Sequence, residues 1–106
     1  MKILLDECVP VQIRKAFPNH EVHSATNPAW SGLSNGELLL RAQHEGFNLL
    51  IVADRNMRYQ QHLSNRTLAI LELWTNHRPT LERHFDYIGA AAERISPREY
   101  LQLSSP

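Results

Sequence analysis

Asn48-Leu49-Leu50-Ile51-Val52-Ala53-Asp54 is the stretch that decides the architecture. A continuous apolar run this short, flanked by polar residues, reads as a β-strand buried on both faces, the pattern of a parallel sheet rather than of a half-exposed antiparallel one. Lys2-Ile3-Leu4-Leu5 upstream and Thr67-Leu68-Ala69-Ile70-Leu71-Glu72-Leu73 downstream read the same way. Glu21-Val22-His23-Ser24 is a weaker strand, and Tyr100-Leu101-Gln102-Leu103 is a candidate edge strand.

Helical signals fill the gaps. Pro10 suits the first turn of a helix with Val9, Ile13, Ala16 and Phe17 on its apolar side and Pro18 as its stop. Asn27-Pro28-Ala29-Trp30-Ser31-Gly32 is a loop. Ser34 starts a helix over about 35 to 45, with Leu38, Leu39 and Ala42 inward and Gly46 as its C-terminal stop. A helix over about 55 to 63 ends near Asn65. Pro79 opens a long final helix carrying Leu81, Phe85, Ile88, Ala91, Ala92 and Ile95, broken by Pro97. Strands alternating with helices at this rhythm predict one α/β domain over residues 1–106, with a mainly parallel central sheet flanked by helices on both faces.

The composition narrows the function classes. Eleven basic and eleven acidic residues balance, so any grip on nucleic acid must come from a local patch. Cys8 is the single cysteine, which excludes an internal disulfide and a cysteine zinc cluster and suits a reducing cytoplasm. No run approaches the roughly 18 apolar residues of a membrane span. The six histidines form no ligand pattern, and Cys8 reads as a small buried residue without an activating base nearby.

Acids are placed more tellingly. The first strand ends on Asp6-Glu7, the strand at 49–53 ends on Asp54, and Glu37 opens the helix before Leu38-Leu39-Leu40. In a parallel sheet the carboxyl ends of the strands share one edge, so these acids should converge there. Converging carboxylates resist burial unless a cation lies between them. A hard ion such as Mg²⁺ or Mn²⁺ fits, and phosphodiester hydrolysis is its natural chemistry. Each acid also has a bland reading. Asp54 can cap a helix, and Ser34-Asn35-Gly36-Glu37 matches a capping box with Arg41 spaced for an ion pair to Glu37. Asp6, directly after a buried strand, has the weakest bland alternative.

Leu4-Leu5-Asp6-Glu7-Cys8-Val9-Pro10, Gly32-Leu33-Ser34-Asn35-Gly36-Glu37-Leu38-Leu39 and Ala53-Asp54-Arg55-Asn56-Met57-Arg58-Tyr59-Gln60-Gln61 together resemble the PIN-like domains of predicted bacterial nucleases, similar to VapC-type toxin ribonucleases. The resemblance extends to Thr75-Asn76-His77-Arg78-Pro79. It implies a Mg²⁺- or Mn²⁺-dependent endoribonuclease with Asp6, Glu37 and Asp54 as catalytic metal ligands. Asn56 stands where many relatives carry a fourth Asp, as an auxiliary ligand without charge. Arg55, Arg58, Tyr59 and Asn76 are then the residues expected to hold RNA, single-stranded or structured. An antitoxin protein as partner, a homodimer as assembly and a cytoplasmic location belong to the same expectation.

Two rivals remain. One is a PIN-like fold kept for protein binding or regulation without hydrolysis, which Asn56 and the neutral charge favour. The other is a phosphoacceptor receiver domain, whose order of acids Asp6-Glu7, Asp54 and Thr75 mimic. A receiver needs a lysine after its fifth strand, and the only lysines are Lys2 and Lys15.

Overall fold

The computed structural model describes residues 1–53 and 67–106. The helix expected over about 55 to 63 and the turn at Asn65 lie outside the described residues.

Five strands form one all-parallel sheet: β1 Lys2–Leu5, β2 Glu21–Ser24, β3 Leu49–Val52, β4 Ala69–Glu72 and β5 Tyr100–Gln102. Their lateral order is β2-β1-β3-β4-β5. All four residues of β3 are buried, as are all four of β4. Alternate side chains of these strands enter two separate cores. Ile3, Leu5, Leu49, Ile51, Ala69 and Leu71 join one; Leu4, Leu50, Val52, Leu68 and Ile70 join the other. Covering both faces is what continuous apolar strands demand, since neither side of such a strand tolerates water. The edge strands β2 and β5 are only partly buried, which explains their weaker sequence signal.

One face is covered by α1, Asn35–His44, whose Leu38, Leu39 and Ala42 turn inward. Trp30 and Phe47 complete that layer with their rings edge to face at 5.7 Å. Gly46, at φ 82°, ends α1 in the left-handed backbone region where a side chain would be strained. The opposite face is covered by a 3₁₀ segment, Val11–Ala16, and by α2, Arg78–Glu82, and α3, Phe85–Arg94.

Two expectations change in detail. The segment after Pro10 is 3₁₀ rather than α-helical: Ile13 N bonds Pro10 O at 3.1 Å and Phe17 N bonds Arg14 O at 3.0 Å, each three residues back. Pro10 lies just outside it, as the residue that introduces the turn. The long final helix is two helices. The backbone leaves helical geometry at His84, φ −131° and ψ 29°, and Ile88 N restarts the ladder on His84 O. The His84 ring lies against Trp74 at 5.7 Å, a contact made across the chain that periodicity does not record.

Gly89 shows how closely these layers meet. A Cβ there would lie 2.8 Å from the backbone oxygen of Ala16. Gly89→Ala gains about 1 kcal/mol in helix propensity, but overpacking against immovable backbone costs about 1–3 kcal/mol. We expect a net loss of stability, read as a lower urea midpoint with unchanged m-value; a higher midpoint would show that α3 does not press on the 3₁₀ segment.

Candidate functional site at the carboxyl edge of the sheet

The first strand stops at Leu5, but its ladder runs one residue further. Asp6 N donates to Ile51 O at 2.9 Å, and Ala25 N donates to Leu5 O at 2.8 Å from the other side. The end of β1 is thus held between both neighbours. Val9 N then bonds Asp6 O at 3.0 Å, closing a turn that sends the chain away from the sheet. Even-numbered residues of β1 face α1, so Asp6 follows Leu4 onto that side and is 2% exposed. Glu7, one residue on, is exposed.

The strand order makes this location special. Chain direction across the sheet reverses between β1 and β3, because β2 lies outside β1 while β3, β4 and β5 follow on the other side. Open parallel sheets take ligands in the crevice beyond the carboxyl ends at such a reversal. A cavity of about 330 Å³ opens there, lined by Asp6, Glu7, Ala25, Trp30, Leu33 and Asn35 among others. Asn35 is the first residue of α1, so the positive end of that helix borders the cavity.

Asp6 is not a bare carboxylate. The Cys8 thiol donates to its Oδ2 at 3.0 Å. Cys8, read from sequence as a small buried residue with no activating base near it, is half-buried and in contact with one. Its neighbour two positions away is the carboxylate itself, because the turn at Asp6–Val9 folds Cys8 back.

Glu37 is in the capping box that its spacing predicts. Ser34 N donates to Glu37 Oε1 at 3.0 Å and Glu37 N donates to Ser34 Oγ at 3.2 Å. The bond from the Ser34 backbone N–H, with the Ser34 hydroxyl second, holds the exposed Glu37 carboxyl below its ordinary value of 4.5. The ion pair anticipated between Glu37 and Arg41 is not formed. Arg41 Nε bonds Glu45 Oε2 at 2.6 Å, its guanidinium donates to Ala29 O, and it stacks over Trp30 with 4.5 Å to the ring centre. Trp30 itself is 8% exposed and serves the core, as tryptophan usually does.

Asp54, with Arg55, Asn56, Arg58 and Tyr59, lies outside the described residues. What the described chain contributes is the approach: β3 ends at Val52, and Ala53 is the last described residue before Asp54. Leu5 pairs with Ile51, so β3 leaves the sheet beside Asp6. Asn76 is exposed on the loop that follows β4, on the same edge, next to Thr75, whose hydroxyl accepts from His77 N at 3.1 Å. Among the described residues no three His, Cys, Asp or Glu side chains form a group able to hold a metal ion. Asp6 lies in the wall of the crevice and Glu37 in the capping box of α1, and by themselves they form no such group.

Glu72 escaped the sequence reading. It is 3% exposed, at the carboxyl end of β4, where its Oε1 accepts from Tyr100 Oη at 2.8 Å and its Oε2 from Gln102 Nε2 at 3.1 Å. Val52 pairs with Glu72, and continuing the Leu5–Ile51 register by one residue sets Asp6 beside Val52. Asp6 and Glu72 thus occupy one transverse row on one face, two strand spacings or about 9.5 Å apart at their backbones. The available signal was an acid inside the apolar run Ala69-Ile70-Leu71-Glu72-Leu73.

The chain matches no protein-family model, no curated protein and no solved structure. Among the described residues no helix is long and apolar enough to cross a membrane.

The capping geometry has a measurable consequence. A carboxyl whose folded pKa is depressed contributes stability that is fully present above its unfolded pKa and fades as pH falls through the lower, folded one. The Glu37 side-chain carbon resonance should titrate with a midpoint below 4.5, and Ser34→Ala should move it back up while lowering stability by about 1 kcal/mol. An unshifted midpoint in the wild type would show that the box does not form.

Proposed function

We propose that this protein is a PIN-like, metal-dependent ribonuclease that hydrolyses phosphodiester bonds at the crevice beyond β1 and β3. The observation that carries the reading is Asp6, a nearly inaccessible carboxylate bordering a polar cavity at the point where the strand order reverses.

The donor set suits a hard cation. Asp6 offers carboxylate oxygen, Glu37 keeps its Oε2 without a protein partner among the described residues, and Asp54 and Asn56, which follow β3 in the sequence, would add two oxygens. Asp6, Glu37 and Asp54 would hold Mg²⁺ or Mn²⁺, with Asn56 auxiliary. The chemistry supplied there is polarisation of a phosphoryl oxygen and activation of the attacking water. The chain's own contribution is placement. Backbone bonds on both sides fix Asp6, the Cys8 thiol occupies one lone pair of Oδ2 and orients the carboxylate, and Trp30, Leu33 and Leu38 contribute the smaller, apolar part of the cavity wall. Arg55, Arg58, Tyr59 and Asn76 are the proposed RNA contacts, through phosphate charge and base stacking. A cytoplasmic location, an antitoxin partner and a homodimer are parts of this proposal that rest on the family resemblance alone.

A second reading, a PIN-like module that binds without hydrolysis, has one observation in its favour: Glu37 already spends Oε1 on its own helix cap. The receiver reading is compatible with the strand order β2-β1-β3-β4-β5, which is that of flavodoxin-like sheets, but it lacks its lysine. Lys2 is at the amino end of β1, where Nζ bonds Glu45 O and lies over Phe47, on the edge opposite Asp6. No lysine follows β5.

The deciding experiment is cleavage of single-stranded RNA by purified protein with Mn²⁺ or Mg²⁺. Activity should vanish in EDTA and return with the metal. Asp6→Asn and Asp54→Asn should each lower it beyond the roughly 10–100-fold typical of losing an outer-shell partner, with circular dichroism unchanged. Equal behaviour of wild type and both variants would leave the binding module as the surviving reading.

A further inference from the structure

The carboxylate of Glu72 has a feature that the proposed hydrolysis does not use. It is buried, yet the groups that bond it among the described residues, the Tyr100 hydroxyl and the Gln102 amide, are neutral. Among the described residues no Lys, Arg or His side chain pairs with it. Two donors use two of the roughly four lone-pair positions a carboxylate presents. A cavity of about 360 Å³ opens beside it, lined by Glu72, Gln102, Leu103, Ser104 and Ser105. One wall is anchored, because Tyr87 Oη donates to Ser104 O at 2.8 Å.

We propose that this cavity binds a guanidinium group, with Glu72 as its counter-charge. The lining offers acceptors: the remaining Glu72 lone pairs, with the Gln102 amide and the serine hydroxyls able to accept as well as donate. Such a lining suits a ligand rich in N–H donors, and a positive one cancels a charge for which the described residues hold no cationic partner. Guanidinium fits better than ammonium. Its planar fork places parallel N–H bonds on one carboxylate, and its weaker hydration makes entry into a half-enclosed cavity less costly. A bare divalent ion fits worse, since one carboxylate among neutral oxygens falls short of the tight six-oxygen shell that Mg²⁺ demands.

The site is independent of the proposed nuclease centre. Its lining shares no residue with the cavity at Asp6, and Val52 stands between the two acids in their common row. Loss of RNA cleavage would leave it standing, and its own failure would leave cleavage untouched.

The test is calorimetric titration of the full chain with agmatine, with N-acetyl-arginine amide, and with putrescine as the ammonium control. Saturable agmatine binding is expected, weaker by about 30-fold or more in Glu72→Gln, with the unliganded Tm near wild type. Gln102→Leu, on the exposed edge strand, should weaken binding several-fold and carries the test if Glu72→Gln does not fold. Binding of agmatine alone assigns the cavity to free small molecules; equal binding of the arginine amide extends it to an arginine side chain of a peptide. The proposal is overturned by absence of saturable agmatine binding, by binding undiminished in the folded variant, or by putrescine binding as tightly as agmatine.

Discussion

The pairing of β1 with β3 is the constraint on which the rest of this molecule depends. Ile3, Leu4 and Leu5 lie alongside Leu49, Leu50 and Ile51, and the ladder is extended by Asp6 N on Ile51 O. Two strands whose paired residues are 46 positions apart in the chain, both apolar on both faces, can satisfy their backbone groups only against each other and a further neighbour. Once they pair in parallel, β2 is pushed to the outside of β1 and β4 to the far side of β3. The reversal of winding that results opens the crevice in which Asp6 lies.

That pairing also sets the electrostatic character of the edge. Parallel register brings Asp6, Val52, Glu72 and Gln102 into one row, all on the α1 face. Two nearly inaccessible acids in one row would be hard to accommodate without local donors. Each has them: the Cys8 thiol donates to the Asp6 carboxylate, and two side chains of β5 donate to Glu72. The Tyr100 and Gln102 bonds have a second effect, tying a three-residue edge strand to the sheet by side chains as well as by its ladder.

Much of the fold is legible in single residues. The β3 and β4 runs, the Ser34–Glu37 box and Gly46 each act through contacts within a few positions, and each acts as local rules predict. What escapes those rules is decided by partners distant in sequence. Arg41 abandons the nearby Glu37 because Trp30 and Ala29 offer its guanidinium a ring and a carbonyl. The final helix divides where His84 meets Trp74. Glu72 was passed over because an acid within an apolar run carries no periodic signal, and its donors come from β5, 28 and 30 residues later.

The sequence by itself determined which segments are strands, which faces of the helices turn inward, and that acids stand at the ends of apolar runs. Each of these follows from side-chain polarity counted over neighbouring positions. Only the tertiary structure decided the lateral order of the strands, the reversal between β1 and β3, and the shared row of Asp6 and Glu72. Those depend on which backbone ladders join across the sheet, and hydrophobic periodicity is the same whichever neighbour a buried strand takes.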